Sequence, residues 1–192
     1  MAKVHFTADT HFGHRSILRM CQRPFDSIEE HDATLVELWN SVVRPNDEVW
    51  HLGDFSYRAG VEHAERILKK LNGRIHLVRG NHDRPAVLQL TQWASVQDFA
   101  EIKLDGQRIS LFHYGMRTWP AQWHNSIQLY GHSHTRLPGN TRSLDVGVDA
   151  WGYMPVDIEQ IRARMATLPE WRPEEVGDEP EDENESVSGY SR

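Results

Sequence analysis

Residues 3–14 read Lys3-Val4-His5-Phe6-Thr7-Ala8-Asp9-Thr10-His11-Phe12-Gly13-His14. The first half, Lys3 to Ala8, is a short strand-forming run, and the second half is a polar turn that opens on a carboxylate and an imidazole. The same sentence is written twice more. Glu48 to Leu52 is an apolar run that stops at Gly53-Asp54, and Ile75 to Arg79 stops at Gly80-Asn81-His82-Asp83. Amphipathic stretches separate the three. Phe25 to Val43 has Ser27 three residues before Glu30, as a capping box requires, with Ile28, Leu35, Leu38, Trp39 and Val42 at near-helical spacing. Gly60 to Leu71 repeats the pattern through Val61, Ala64, Ile67, Leu68 and Leu71, and Asn72-Gly73 ends it. Alternating strands and helices imply a parallel sheet, and ligands bind at the carboxyl ends of such strands. That end is where the Asp, His and Asn residues fall.

Beyond about residue 95 strands follow one another. Phe99 to Leu104 and Gln107 to Phe112 flank Asp105-Gly106, a strong hairpin signal. Ser126 to Tyr130 and Ser143 to Val148 are two further short strands, and Met154 to Val156 is followed by a helix candidate, Asp157 to Ala166. The expected fold is α/β, two packed mixed β-sheets flanked by helices in a four-layer αββα sandwich. The second half adds His113 after Phe112, and Gly131-His132-Ser133-His134 after Tyr130.

The chain has 192 residues, 21 Lys and Arg, 28 Asp and Glu, and a net charge of −7. Residues 173–192 hold eight acids and one base, so they carry all of the −7, while residues 1–172 balance at 20 and 20. A domain over 1–172 and an acidic, disordered tail over 173–192 are therefore expected. A neutral body is poorly suited to long duplex nucleic acid or anionic lipid, which call for clustered Lys and Arg. The single Cys21 cannot form an intrachain disulfide, and no run approaches the ~20 apolar residues of a membrane span. With an N-terminal apolar run too short for a signal peptide, the expected location is cytoplasmic.

The strand ends bring together Asp9, His11, Asp54, Asn81, His113, His132 and His134. Seven mixed nitrogen and oxygen donors exceed what one transition metal takes from protein but suit two ions if a carboxylate bridges. Such a pair clamps the attacking and leaving oxygens of a phosphoryl displacement. His132 and His134, at i and i+2 in an extended turn, point apart and can serve different ions. The absence of Cys from this set disfavours structural zinc and fits Mn, Fe, Zn or Ni at a catalytic site, with Mn placed first.

Asp9-x-His11, Gly53-Asp54, Gly80-Asn81-His82-Asp83, a lone His113 and Gly131-His132-Ser133-His134, in this order, resemble the calcineurin-like metallophosphoesterases. More narrowly, residues 6–14, Arg23-Pro24-Phe25 and Asp145-Val146-Gly147-Val148-Asp149-Ala150-Trp151 are similar to the small bacterial and phage phosphoesterases of that superfamily. The resemblance implies a first metal on Asp9, His11, Asp54 and His134, and a second on Asp54, Asn81, His113 and His132, with Asp54 bridging. It further implies attack on phosphorus by a hydroxide shared by the metals, without a covalent enzyme intermediate. His82 matches the residue that contacts phosphate and helps protonate or stabilise the leaving oxygen, and Asp83 the carboxylate that orients that histidine. One departure is Gly115, where many relatives have proline, and glycine there is expected to loosen the loop.

His14, Arg15 and Arg117 are candidate substrate-binding residues. His14 is placed either to touch phosphate or to cap the following helix. Arg15, Arg117 and Arg136 either clamp phosphate or face solvent. Trp119, Trp123 and Trp151 either line a stacking pocket or pack. The remaining histidines, His5, His31, His51, His63, His76 and His124, are read as strand or helix surface residues, with His51 satisfying a buried hydrogen bond. The expected activity is hydrolysis of a small phosphomonoester or phosphodiester by a two-metal enzyme. A nuclease or cyclic-nucleotide phosphodiesterase is the alternative on the same site, and a non-catalytic scaffold is the rival outside enzymes. The expected partner is a small phosphate ester, with a nucleotide among the candidates, and neither a membrane nor a long duplex.

Overall fold

The structure, a computed structural model, describes residues 2–172. The expected acidic tail lies outside the described residues. Two mixed sheets pack face to face and are flanked by helices, as expected. The first sheet joins β1 (Val4–Thr7), β2 (Glu48–His51), β3 (Arg74–Val78), β4 (Ser95–Gln97) and a late strand, β9 (Val156–Asp157), in the order β4-β3-β2-β1-β9. Its first four strands are parallel and β9 is antiparallel to β1. The second sheet has the order β5-β6-β7-β8, with β5 (Phe99–Leu104), β6 (Gln107–Phe112), β7 (Ile127–Tyr130) and β8 (Ser143–Asp145). The Asp105-Gly106 turn sets the hairpin register, Phe99 opposite Phe112 through Leu104 opposite Gln107.

Side-chain alternation decides which residues fill the sandwich. Phe6 of β1 and Ala8 just after it meet Ile109, Leu111, Ile127, Leu129 and Leu144 of the second sheet in one buried cluster. α5 (Ile158–Met165) adds Ile161 and Met165 to it, and Asp157 and Gln160 form its capping box. On the opposite face of the first sheet, Val49, Ile75 and Leu77 pack under α2 (Ile28–Val42) and α3 (Val61–Leu68) through Leu35, Trp39, Ala64 and Ile67. Burying these side chains is worth roughly 1.5–3 kcal/mol each.

Local differences have local causes. Ser27 caps α2 by accepting from the Glu30 N–H at 3.1 Å, but the Glu30 carboxylate takes the Asp26 N–H, not that of Ser27. The strand expected over 143–148 ends at Asp145, because the Gly147 N–H turns to the Asp145 side chain and the Val148 N–H reaches back to Ala8 in the other sheet. That crossing stitches the two sheets at the end where the polar turns lie. Two short helices, α1 (Arg15–Met20) and α4 (Pro85–Leu88), follow the turns after β1 and β3.

Candidate metal centre

The turns after β1, β2, β3, β6 and β7 converge because parallel strands end together. Their backbones are unusual: Asp9, His11, Asp54, His132 and His134 all have φ between 46° and 64°. Non-glycine residues seldom adopt that left-handed conformation, and it gathers at sites whose surroundings over-determine it. Glycine is required where the turns touch. A Cβ on Gly53 would lie 2.5 Å from the Gly80 nitrogen and 2.7 Å from His113 Nδ1, so these turns pack backbone against backbone.

All seven expected ligands are brought to this end. Ligand atoms of Asp9, His11 and His134 lie within 4.8 Å of one another, and so do those of Asp54, His113 and His132. Asn81 Oδ1 is 3.0 Å from His113 Nε2, which adds it to the second cluster. Between the clusters sits one atom, Asp54 Oδ2, 3.6 Å from His11 Nε2 and 3.5 Å from His113 Nε2. Asp9 Oδ1 and His11 Nε2 are buried without a hydrogen-bond partner, an expensive condition for polar atoms that a cation would relieve. The donor set thus fits metal ions, and these His and Asp clusters are groups that could hold them.

The electrostatics agree. Burial pushes the Asp9 carboxyl up to about 8 and holds the His11 imidazole well below its usual range. Asp54 behaves oppositely. Burial works to raise it, yet His113, His11 and the His82 N–H hold it below the ordinary carboxylate range. A buried carboxyl favouring a proton beside an imidazole refusing one is a pair lacking a positive charge.

Outer partners fix the ring orientations. His113 Nδ1 donates to the Leu52 carbonyl at 2.7 Å, leaving Nε2 toward Asp54. His134 Nδ1 donates to Asp149 at 2.7 Å, and Asp149 takes two 2.8 Å bonds from Arg23. Such partners set the tautomer and basicity of a ligating imidazole. The buried Arg23 guanidinium also donates to the carbonyls of Asp9 (2.7 Å) and Thr10 (3.0 Å) and to His31 Nε2 (2.8 Å). His31 donates its Nδ1–H to Asp32, which also accepts from His63 and from the Gly13 N–H. His31 and His5 are buried, contrary to the expected surface placement. His51 does satisfy buried bonds, to Thr10 Oγ1 at 2.9 Å and from the Gly53 N–H at 3.2 Å.

The expected catalytic and substrate residues divide. His82 is at the centre, its Nε2 3.9 Å from Asp54 Oδ2 and its ring against Tyr57 and His11. Asp83 does not orient it. Both Asp83 oxygens accept backbone N–H groups, from Asp54 (2.8 Å), Phe55 (2.9 Å) and Gly80 (2.9 Å), so it ties the turn after β2 to the turn after β3. His14 occupies the N-cap position of α1 without a capping bond, and its Nδ1 lies 3.3 Å from His11 Nδ1. Arg15 points away to Glu29 at 3.2 Å, beside a cavity of about 550 Å³ that α2 and α3 help line. Arg117 lines a different cavity, of about 320 Å³, with Trp119 and Trp171. Trp119 is buried and Trp151 donates to the Asp145 carbonyl, so both pack. Gly115 does not loosen its loop: Gln128 accepts from the Met116 N–H and donates to the Tyr114 carbonyl, bracketing it on both sides.

Sequence reasoning missed Arg23 and Asp149 as site residues. Their signal was Arg23-Pro24-Phe25 and the 145–151 stretch, which carried resemblance without a role. It also missed Tyr57 and Tyr114, whose rings pack on the site histidines.

Residues 3–146 match the Calcineurin-like phosphoesterase superfamily domain. The chain is 31% identical over 169 residues to uncharacterized protein MJ1445 of Methanocaldococcus jannaschii, covering 84% of this chain and 90% of that protein. It is 31% identical over 185 residues to the Gene 66 protein of Mycobacterium phage L5, covering 79% of this chain and 89% of that protein. The solved structure of AQ665 from Aquifex aeolicus, a protein of unknown function, shares the fold with a TM-score of 0.68 at 24% identity, over 85% of this chain and all of that one.

Proposed function

Since the chain belongs to the calcineurin-like phosphoesterase superfamily, we propose that it hydrolyses a small phosphate ester at a centre of two divalent ions, with manganese the first choice. The observation that carries this reading is the position of Asp54 Oδ2, at 3.5 and 3.6 Å from one imidazole of each cluster. One ion would be held by Asp9, His11, Asp54 and His134, and the other by Asp54, Asn81, His113 and His132. Two ions there would neutralise phosphate oxygens and bring the ionisation of water toward neutral pH.

The chain's own residues do the rest. His82, one third exposed on its side chain, faces the centre from the solvent side and holds a proton at Nε2 for the departing alkoxide. Its backbone is fixed by its N–H bond to Asp54 Oδ1 at 2.8 Å. Arg23 and Asp149 orient His134, and Asp83 keeps the Asp54 and Asn81 turns in register. No helix among the described residues is long and apolar enough to cross a membrane, and the neutral body favours a small ester over a long duplex.

The test is hydrolysis of p-nitrophenyl and bis-p-nitrophenyl phosphate by purified protein with added Mn²⁺. The expected result is metal-dependent turnover with about two ions per chain, abolished by chelator. Turnover indifferent to both chelation and Asp54→Asn would overturn the reading.

A further inference from the structure

Beside Asn81 the centre opens into a cavity of about 380 Å³ whose lining includes Arg79, Leu88, Asp98, Phe112 and Tyr114. We propose that this cavity is the subsite for the alcohol portion of the substrate and that it takes a nucleoside; the proposal rests on the phosphoesterase reading above.

Continuity with the metal centre comes from Tyr114. Its ring lies 4.9 Å from that of His113 and 4.7 Å from that of His132, and its hydroxyl is 3.4 Å from Asn81 Oδ1. All three neighbours belong to the second cluster, so an ester held by that cluster meets this ring. Tyr114 is also 38% exposed, a large aromatic surface left open at the mouth of a polar site. Its backbone is pinned by Gln128 on both sides of Gly115, so the ring is presented by a rigid support.

The chemistry of the walls selects the occupant. Tyr114, Phe112 and Leu88 offer flat and apolar surface, on which a nucleobase stacks irrespective of its identity. At the rim, Arg79 and Asp98 form a 2.9 Å ion pair with side chains about half and two thirds exposed. A guanidinium donates and a carboxylate accepts, which matches the mixed acceptor and donor edge of a base or the hydroxyls of a ribose. A simple alkyl alcohol would use neither feature. The volume lies within the range of small-ligand pockets, roughly 300–1,000 Å³.

The experiment compares thymidine 5′-(p-nitrophenyl phosphate) with methyl p-nitrophenyl phosphate on Mn²⁺-loaded protein. Both release p-nitrophenolate, and only one carries a nucleoside. Wild type is expected to favour the nucleoside ester by about tenfold or more in kcat/KM. Tyr114→Ala should erase most of that ratio through KM, Tyr114→Phe should keep it, and metal content should stay at the wild-type value in both. Asp98→Ala, which removes the partner of Arg79 and none of the seven candidate metal ligands, should lower the same ratio and weaken inhibition by thymidine 5′-monophosphate relative to inorganic phosphate. A wild-type ratio near one, or a ratio unmoved in both Tyr114→Ala and Asp98→Ala, overturns the subsite. Failure to hydrolyse these two diesters and p-nitrophenyl phosphate alike overturns the phosphoesterase reading beneath it, which a lost ratio alone does not.

Discussion

His134 Nδ1 lies 2.7 Å from Asp149 Oδ2, and both carboxylate oxygens of Asp149 are held at 2.8 Å by the buried guanidinium of Arg23. The pairing shapes both partners. Although burial works against the charge, the bond to Asp149 leads in raising His134 to about 10, and burial of Asp149 is likewise outweighed by His134 and Arg23, which bring it down to about 2. An imidazole so anchored can turn only Nε2 toward an ion. Asp149→Ala is therefore expected to weaken Mn²⁺ binding to the chelator-stripped protein by about 10–100-fold. Asp149→Asn, which keeps an acceptor, should do less. Calorimetric titration of the ion reads both, and equal affinities in wild type and Asp149→Ala would refute the anchoring role.

Asp54 Oδ2, which faces an imidazole of each cluster, allows a sharper test. Asp54→Asn removes a charge from both clusters, whereas His132→Ala touches only the second. Elemental analysis of the purified variants should find both ions depleted in the first and one retained in the second. Equal depletion in the two variants would contradict a bridging role.

His82 contacts the centre without belonging to either cluster. His82→Ala should lower kcat by roughly 10²–10⁴-fold, the range for general acid–base groups, with ion content preserved. Loss of ions together with turnover would move His82 from proton transfer to metal binding.

Asp83 is expected to report on stability. Its carboxylate accepts three backbone N–H groups inside the protein, and charged acceptors contribute about 1.5–3 kcal/mol per bond. Asp83→Asn turns an N–H₂ group toward one of those donors and should lower unfolding stability by about 2–3 kcal/mol, read by urea titration. If Asp83 instead oriented His82, stability would hold and the pH profile of kcat would move.

A pH effect on stability arises far from the site. Asp47 accepts the N–H groups of Lys3 (2.8 Å) and Arg44 (2.9 Å), and with the Lys3 bond leading, its carboxyl is held below the ordinary value of 3.8. A depressed folded-state value means the carboxylate stabilises the fold above 3.8, and that contribution is lost as the pH falls through the folded-state value. Asp47→Asn should therefore be less stable than wild type by about 1–2 kcal/mol at pH 7. The gap should narrow below pH 3.8, and a gap independent of pH would exclude the mechanism.

The residues that could hold metal were legible in the sequence because each follows directly on a strand. Val4–Thr7, Glu48–His51 and Arg74–Val78 end in Asp9, Asp54 and Asn81 with little chain between, and parallel strands must finish at one edge. The Asp105-Gly106 hairpin was legible for the same reason, since a two-residue turn leaves register little choice. Side-chain direction was not. Arg15 and Arg117 stand beside motifs in the sequence, yet one turns to Glu29 and the other lines a cavity with Trp119 and Trp171. Asp83 adjoins His82 but spends its oxygens on backbone from another turn.

Local periodicity and turn chemistry, acting over a few residues, thus determined the three strands that lead into the polar turns, the helices between them, the hairpin and the edge where polar groups collect, but not the short α1, α4 and β4. Only the tertiary structure decided what supports those groups, because the supporting contacts span the chain: Arg23 reaches Asp149 across 126 positions. Such a contact is set by sheet order and by the crossing of Val148 onto Ala8, and no spacing in the sequence encodes it.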